Sequence, residues 1–407
     1  MRKQKILIYD DYSGTVARWK DELDSIEDVK KHFDVLGVGR NTFEEIVSGL
    51  ERRRRDARKN PAWGSTNDLD SAGILILDYD LLDPKKGTYL TGESVAYLAR
   101  CYSRCGLIIG LNQFGENPFD LTLRGHPESY ADLNLGGRQI ANPGLWGDRW
   151  IRFRPWSWPL LPQAHEAYKR RVKQLMGHLD EPVLSFLGFP EEIAKILPRS
   201  AAEFVAGTKR PEQTTFRDFV MASKSMNGLR RKDKPLDEES IARIAAARVA
   251  KWLERLVLPG QDILVDAPHL VARYPSVLRG ERKTLESWNA TASLENASKL
   301  GMDYRKIETF RFKKADWLSR PAWFWHGVSN FPKIAEVMNP WSVDRPDFAF
   351  CEDISRFLPR DAAREFVADV SSSFVRRFLV NPNSKDGRAF AGALKAVDYR
   401  PMVRLSL

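Results

Sequence analysis

Four aspartates in the first eighty residues could do hard-oxygen chemistry. Asp10 and Asp11 directly follow the apolar run Lys5 to Tyr9, Asp78 directly follows Gly73 to Leu77, and Asp80 stands two residues further on. Carboxylates gathered at one place repel one another unless a divalent cation neutralises them, and oxygen ligands suit Mg²⁺. The pattern therefore predicts a magnesium site built on Asp10, Asp11 and Asp78. Such a site binds weakly, because so few carboxylates leave much of the metal shell to water and backbone. The plainer alternative is that Asp10 and Asp11 cap the following helix and Asp78 opens a turn.

Those acids can meet only if the runs before them are neighbouring strands ending at the same sheet edge. From Lys5 to about Asp120, short apolar runs alternate with amphipathic stretches, which predicts an α/β fold with a doubly wound five-stranded parallel sheet. The expected strands are Lys5–Tyr9, Phe33–Val38, Gly73–Leu77, Gly106–Leu111 and Phe119–Leu123. The third and fourth are apolar throughout, as strands covered on both faces require. Expected helices run from Ser13 to about Leu23, from Asn41 or Thr42 to about Arg58, and from Thr91 to about Arg104. In such sheets ligands sit beyond the carboxyl ends of the strands, where the aspartates stand.

The runs Lys5-Ile6-Leu7-Ile8-Tyr9-Asp10-Asp11 and Leu75-Ile76-Leu77-Asp78 resemble the receiver domain of two-component response regulators, over about a third of the chain. The resemblance implies a flavodoxin-like receiver fold in which Asp10 and Asp11 hold Mg²⁺, Asp78 accepts a phosphoryl group, and the backbone of Asp80 completes the metal shell. It also implies a bacterial signalling protein and a partner kinase. Two positions depart from the pattern. Asn112 stands where the family carries Ser or Thr after the fourth strand, and Arg124 is the candidate for the Lys after the fifth. Between them lie only about a dozen residues, with Gly115 and Pro118 among them, so the usual fourth helix has little room. The expectation is a divergent receiver at residues 1–150.

Composition sets outer bounds. With 407 residues, 43% of them hydrophobic and 29% charged, the chain can bury a core and reads as a soluble protein of two to three domains. No apolar run is long enough to span a bilayer, so no membrane association and a cytoplasmic location are expected. Three cysteines, Cys101, Cys105 and Cys351, cannot form a disulfide framework. A net charge of +10 admits an acidic partner such as nucleic acid. Candidate phosphate contacts are Arg52, Arg53, Arg54 and Arg55 at a helix end, and Arg230, Arg231 and Lys232 in a basic stretch; each group also reads as a solvated charged surface.

Residues 151–407 form the second expected region, mainly helical, with a further division near 258 as an option. Its clearest helices are Gln163–Met176 and Asp237–Leu256. Ten of the twelve Trp lie at or after Trp146, which predicts a large aromatic core, with a stacking or protein-binding surface as the sharper alternative. Asp262 or Asp266 followed by Glu281-Arg282-Lys283 imitates a metal-dependent nuclease spacing, on a segment too polar for the strand that chemistry needs. His269 is expected to be a surface or capping residue. No established catalytic motif is present, so the leading expectation is a regulatory protein whose receiver-like part controls or scaffolds an effector that binds protein or nucleic acid. Two others stay open: a magnesium-dependent nuclease or phosphatase using Asp10, Asp11 and Asp78, and a degenerate receiver serving as scaffold in a multi-protein assembly such as a bacterial defence system.

Overall fold

A computed structural model of the chain describes residues 3–57, 65–81, 90–112, 129–147, 154–206, 209–222, 236–275, 284–292, 306–331, 347–366 and 377–390. The first elements are β1 (Gln4–Tyr9), α1 (Ser13–Ser25), α2 (Glu27–His32), β2 (Phe33–Gly37), α3 (Arg40–Asp56), β3 (Ala72–Asp78), α4 (Gly92–Tyr102), β4 (Leu107–Asn112) and β5 (Leu133–Gly136). Their five strands form one all-parallel sheet in the order β2-β1-β3-β4-β5, compatible with a flavodoxin-like fold. Every residue of β3 is buried, so the middle of the sheet is covered on both faces, which explains its unbroken apolar text. Thr91 begins α4 as expected: its side chain accepts from Ser94 N while Ser94 Oγ receives the Thr91 N–H.

The fifth strand corrects the sequence reading. It is Leu133–Gly136, paired with β4 through Ile109 and Leu133, whereas Phe119–Leu123 lies outside the described residues. Asn134, Gly136 and Gly137 read as turn residues because their local preference is for turns. Here Leu133 and Leu135 alternate inward, and β4 supplies the backbone partners. Residues 113–132 thus connect β4 to β5, a longer connection than the dozen or so residues counted from Asn112 to Arg124.

Among the described residues six helices follow: α5 (Leu161–Leu175), α6 (Val183–Phe186), α7 (Glu191–Ile196), α8 (Arg199–Ala206), α9 (Phe216–Ala222) and α10 (Glu238–Trp252). The remaining main elements are β6 (Leu264–Asp266), α11 (Ala267–Arg273), α12 (Leu285–Ala292), β7 (Ala322–Phe324), α13 (Trp325–Ser329), β8 (Phe348–Cys351), β9 (Arg356–Pro359), β10 (Ala363–Phe366) and β11 (Arg377–Val380). The expectation of a mainly helical second region is corrected by a four-stranded sheet, β10-β11-β8-β9, and a two-stranded one, β6-β7. These strands are only three or four residues long, too short for periodicity to reveal.

Two compact units divide the chain, interleaved in sequence: residues 1–148, 159–186 and 202–251 form the first, and 149–158, 187–201 and 252–407 the second. In the first, the buried guanidinium of Arg100 on α4 donates to Tyr168 on α5 at 2.8 Å and also pairs with Asp132. Lys251 on α10 donates to the Ser129 and Ala131 carbonyls beside β5. In the second, the buried rings of Trp252, Trp317 and Trp323 bear out the aromatic core. All three cysteines are buried, and burial pushes the Cys101 and Cys105 thiols up to about 12, so they behave as small apolar groups. Among the described residues, no helix is long and apolar enough to cross a membrane.

Candidate functional site

The order of the first sheet reverses between β1 and β3, and the crevice at such a reversal is where ligands of open parallel sheets bind. Tyr9 pairs with Leu77, so the residues that follow, Asp10 and Asp78, emerge side by side at the carboxyl edge. Both are buried, at 3% and 4% exposure, while Asp11 is exposed. One carboxylate oxygen from each of Asp10, Asp11 and Asp78 lies within 4.8 Å of the other two. Oxygens bound to one Mg²⁺ stand up to about 4.2 Å apart, so the three carboxylates need close only slightly to share a hard cation. Asp80 is exposed just beyond.

Electrostatics mark the same place. Burial, followed by the neighbouring charge of Asp11, pushes the Asp10 carboxyl up to about 6, against an opposing 2.7 Å hydrogen bond from Tyr12 N to Asp10 Oδ1. Arg18 is too weak a counter-charge to restore it. A buried carboxylate raised by burial and by a neighbouring acid is a donor that a divalent cation would return to its charged form.

Tyr79, which the sequence reading passed over, ties this edge to the rest of the unit. Its backbone N–H donates to Leu111 O, and its ring lies so close to Gly110 that a Cβ there would sit 2.1 Å from it. The Tyr79 hydroxyl meets Ser129 Oγ at 3.0 Å, Glu93 Oε2 at 3.3 Å and the Asn134 amide. Glu93 also accepts from Ser129 Oγ and Tyr130 N, at 2.7 and 2.6 Å. The start of α4 approaches as closely: a Cβ on Gly92 would stand 2.4 Å from the carbonyl oxygen of Asp78. Backbone at Asp78, α4 and the start of β5 are thereby one hydrogen-bonded assembly.

Asn112 is the last residue of β4, at the same sheet edge. Arg124 lies outside the described residues, and the residues that follow the fifth strand are Gly137 and the exposed Arg138. Of the basic candidates, Arg52, Arg54 and Arg55 are exposed, whereas Arg53 is corrected from a surface contact to a buried one. It continues the inward face formed by Phe43, Ile46, Val47 and Leu50, and its guanidinium donates to Asp70 at 2.6 and 2.9 Å, to Tyr102 O and to Ser65 O. Burial alone would raise the Asp70 carboxyl, but hydrogen bonds from Arg53 and from the Arg104 backbone hold it below the usual range. Arg230, Arg231 and Lys232 lie outside the described residues.

In the second unit His269 is not on the surface. Asp266 Oδ1 accepts from His269 N, capping α11, and also meets His269 Nδ1 at 2.7 Å. His269 Nε2 faces Glu352 Oε1 at 3.3 Å, and Arg377 grips both oxygens of Glu352. Burial opposes charge on all of them, yet mutual attraction wins: His269 is raised, and Asp266 and Glu352 are lowered. Asp266 Oδ2 accepts from Trp156 Nε1 at 2.5 Å, so both of its oxygens are engaged inside the unit. The Asp266-Ala267-Pro268 helix start signalled the cap, but nothing local announces Glu352, 83 residues beyond its histidine. Glu281 and Lys283 of the nuclease-like spacing lie outside the described residues. No protein-family model matches the chain, and no curated protein matches it.

Proposed function

We propose that the N-terminal part of the chain is a divergent, doubly wound receiver-like module that binds Mg²⁺ and accepts a phosphoryl group. In this reading Asp10, Asp11 and Asp78 are the metal's side-chain ligands and the Asp80 backbone adds another. Asp78 is the phosphoacceptor. The whole chain is a regulatory protein in which this module controls or scaffolds an effector that binds a protein or a nucleic acid. The observation that carries the reading is the meeting of Asp10, Asp11 and Asp78 at the reversal point of the sheet.

The chemistry follows from the positions. A carboxylate oxygen of Asp78 attacks phosphorus, the bond to the donor's leaving group breaks, and an acyl phosphate remains. A bound cation would offset the negative charge of the nucleophile and of the incoming oxygens. Asp10 and Asp11 would hold that cation, and the close contact of Gly92 with the Asp78 carbonyl keeps the nucleophile's backbone in place.

Two measurements on the full chain test this. Calorimetric titration with Mg²⁺ should give weak binding that Asp11→Ala abolishes; equal binding by the variant would overturn the metal assignment. Acetyl phosphate with Mg²⁺ should add one phosphoryl group, lost in Asp78→Asn and located at Asp78 by mass spectrometry. Continuous release of inorganic phosphate from a monoester, without a stable adduct, would instead identify a magnesium-dependent phosphatase.

A further inference from the structure

Arg273 closes α11 in the second unit, and among the described residues it lacks the carboxylate partner that three other buried arginines have. Arg53, Arg100 and Arg377 are each paired to a carboxylate: Asp70, Asp132 and Glu352. Arg273 is only 6% exposed, and its Nε, Nη1 and Nη2 all lack a hydrogen-bond partner among the described residues. The acids that act on it from a distance are Asp262 and Asp266; neither forms an ion pair with it among the described residues, and Asp266 is engaged by His269 and Trp156. The guanidinium carbon stands 4.1 Å from the ring centroid of Trp325, and the Tyr274 ring lies 5.4 Å from Trp325 at 30°. Trp325 and Tyr274 are both half-buried.

A guanidinium stacked on an aromatic ring is held by its face and keeps its edges for hydrogen bonds, and those edges match the two oxygens of a carboxylate or phosphate. Burial pushes the group down to about 10, which still leaves it charged at neutral pH. A charge so placed, with its donors unused, is poorly compensated until an anion arrives.

We propose that Arg273, held by its face on Trp325, anchors an oxyanion-binding site that takes a phosphate or carboxylate group edge-on. The site is separate from the aspartate cluster and stands or falls independently of it. The anion supplies the partner the guanidinium lacks, and the half-buried Trp325 and Tyr274 rings adjoin the site.

Thermal melting and calorimetry of the full chain test this with inorganic phosphate and with acetate, each against chloride at matched ionic strength. The wild type should be stabilised by at least one of the two anions beyond chloride; which one identifies the class of ligand. Arg273→Lys keeps the charge without the fork, and should bind roughly tenfold or more weakly. Arg273→Met should show no anion-specific shift, and in chloride alone it should melt above the wild type, because the uncompensated charge is gone. Absence of any anion-specific shift in the wild type would overturn the proposal, as would a Met variant that responds like the wild type. A Met variant that melts lower in chloride, or does not fold, would do the same, since it would mean the charge is already compensated.

Discussion

Replacing Asp10 by asparagine should stabilise the metal-free protein. The carboxyl is displaced from an ordinary 3.8 to about 6, chiefly by burial and then by Asp11. Between those values the folded chain carries more protons at Asp10 than the unfolded chain, so stability falls as pH rises through the window. Above pH 6 the charged form costs the folded state its full penalty, about two pKa units at about 1.4 kcal/mol each, or roughly 3 kcal/mol. Asparagine does not ionise, and its Oδ1 can still accept the Tyr12 N–H that Asp10 accepts now. In a chelator at pH 8, Asp10→Asn should therefore melt higher, on the order of 5–10 °C for the transition of a unit of this size, and the gap should vanish near pH 4. Added Mg²⁺ should close the gap from the other side, because only the wild type gains ligand stabilisation. Melting curves of both proteins at pH 4, 6 and 8, with and without Mg²⁺, make the comparison. An asparagine variant that is less stable at pH 8, or a gap independent of pH, would refute the account of a carboxylate raised by burial and by Asp11.

Arg53→Met should destabilise the first unit by about 3–5 kcal/mol, because Asp70 and the Ser65 and Tyr102 carbonyls lose their shared donor; chemical denaturation measures it, and a loss below about 1 kcal/mol would mean the pair is not a structural tie. His269, raised above its ordinary 6.5 by Asp266 and Glu352, contributes stability that is fully present below pH 6.5 and lost as pH climbs through its folded value. His269→Gln should remove that alkaline decline, and melting curves that fall equally in variant and wild type would rule His269 out as its source.

The sequence by itself determined the elements whose signal is local. Unbroken apolar runs mark β1, β3 and β4, because a strand covered on both faces has no polar side to show. Helical spacing marks α3 and α10, and Thr91 marks the start of α4. The aspartates of the candidate site were legible for the same reason: each directly follows an apolar run, and parallel neighbours end at one edge. Tertiary structure alone decided what depends on distant partners. Leu133–Gly136 is a strand because β4 pairs with it, against the turn preference of its Asn and Gly. Arg53 faces inward because Asp70 is there to meet it, although it stands in a run of four arginines that looks like surface. His269, Glu352 and Arg377 form one charged cluster only when β8, β11 and α11 are folded together, since none of the three carries a sequence signal of the other two. Arg273 reads as an ordinary helix-terminal cation until packing buries it on Trp325 without an anion. Periodicity records which face of an element is buried; which charges meet there is settled by contacts between residues far apart in the chain.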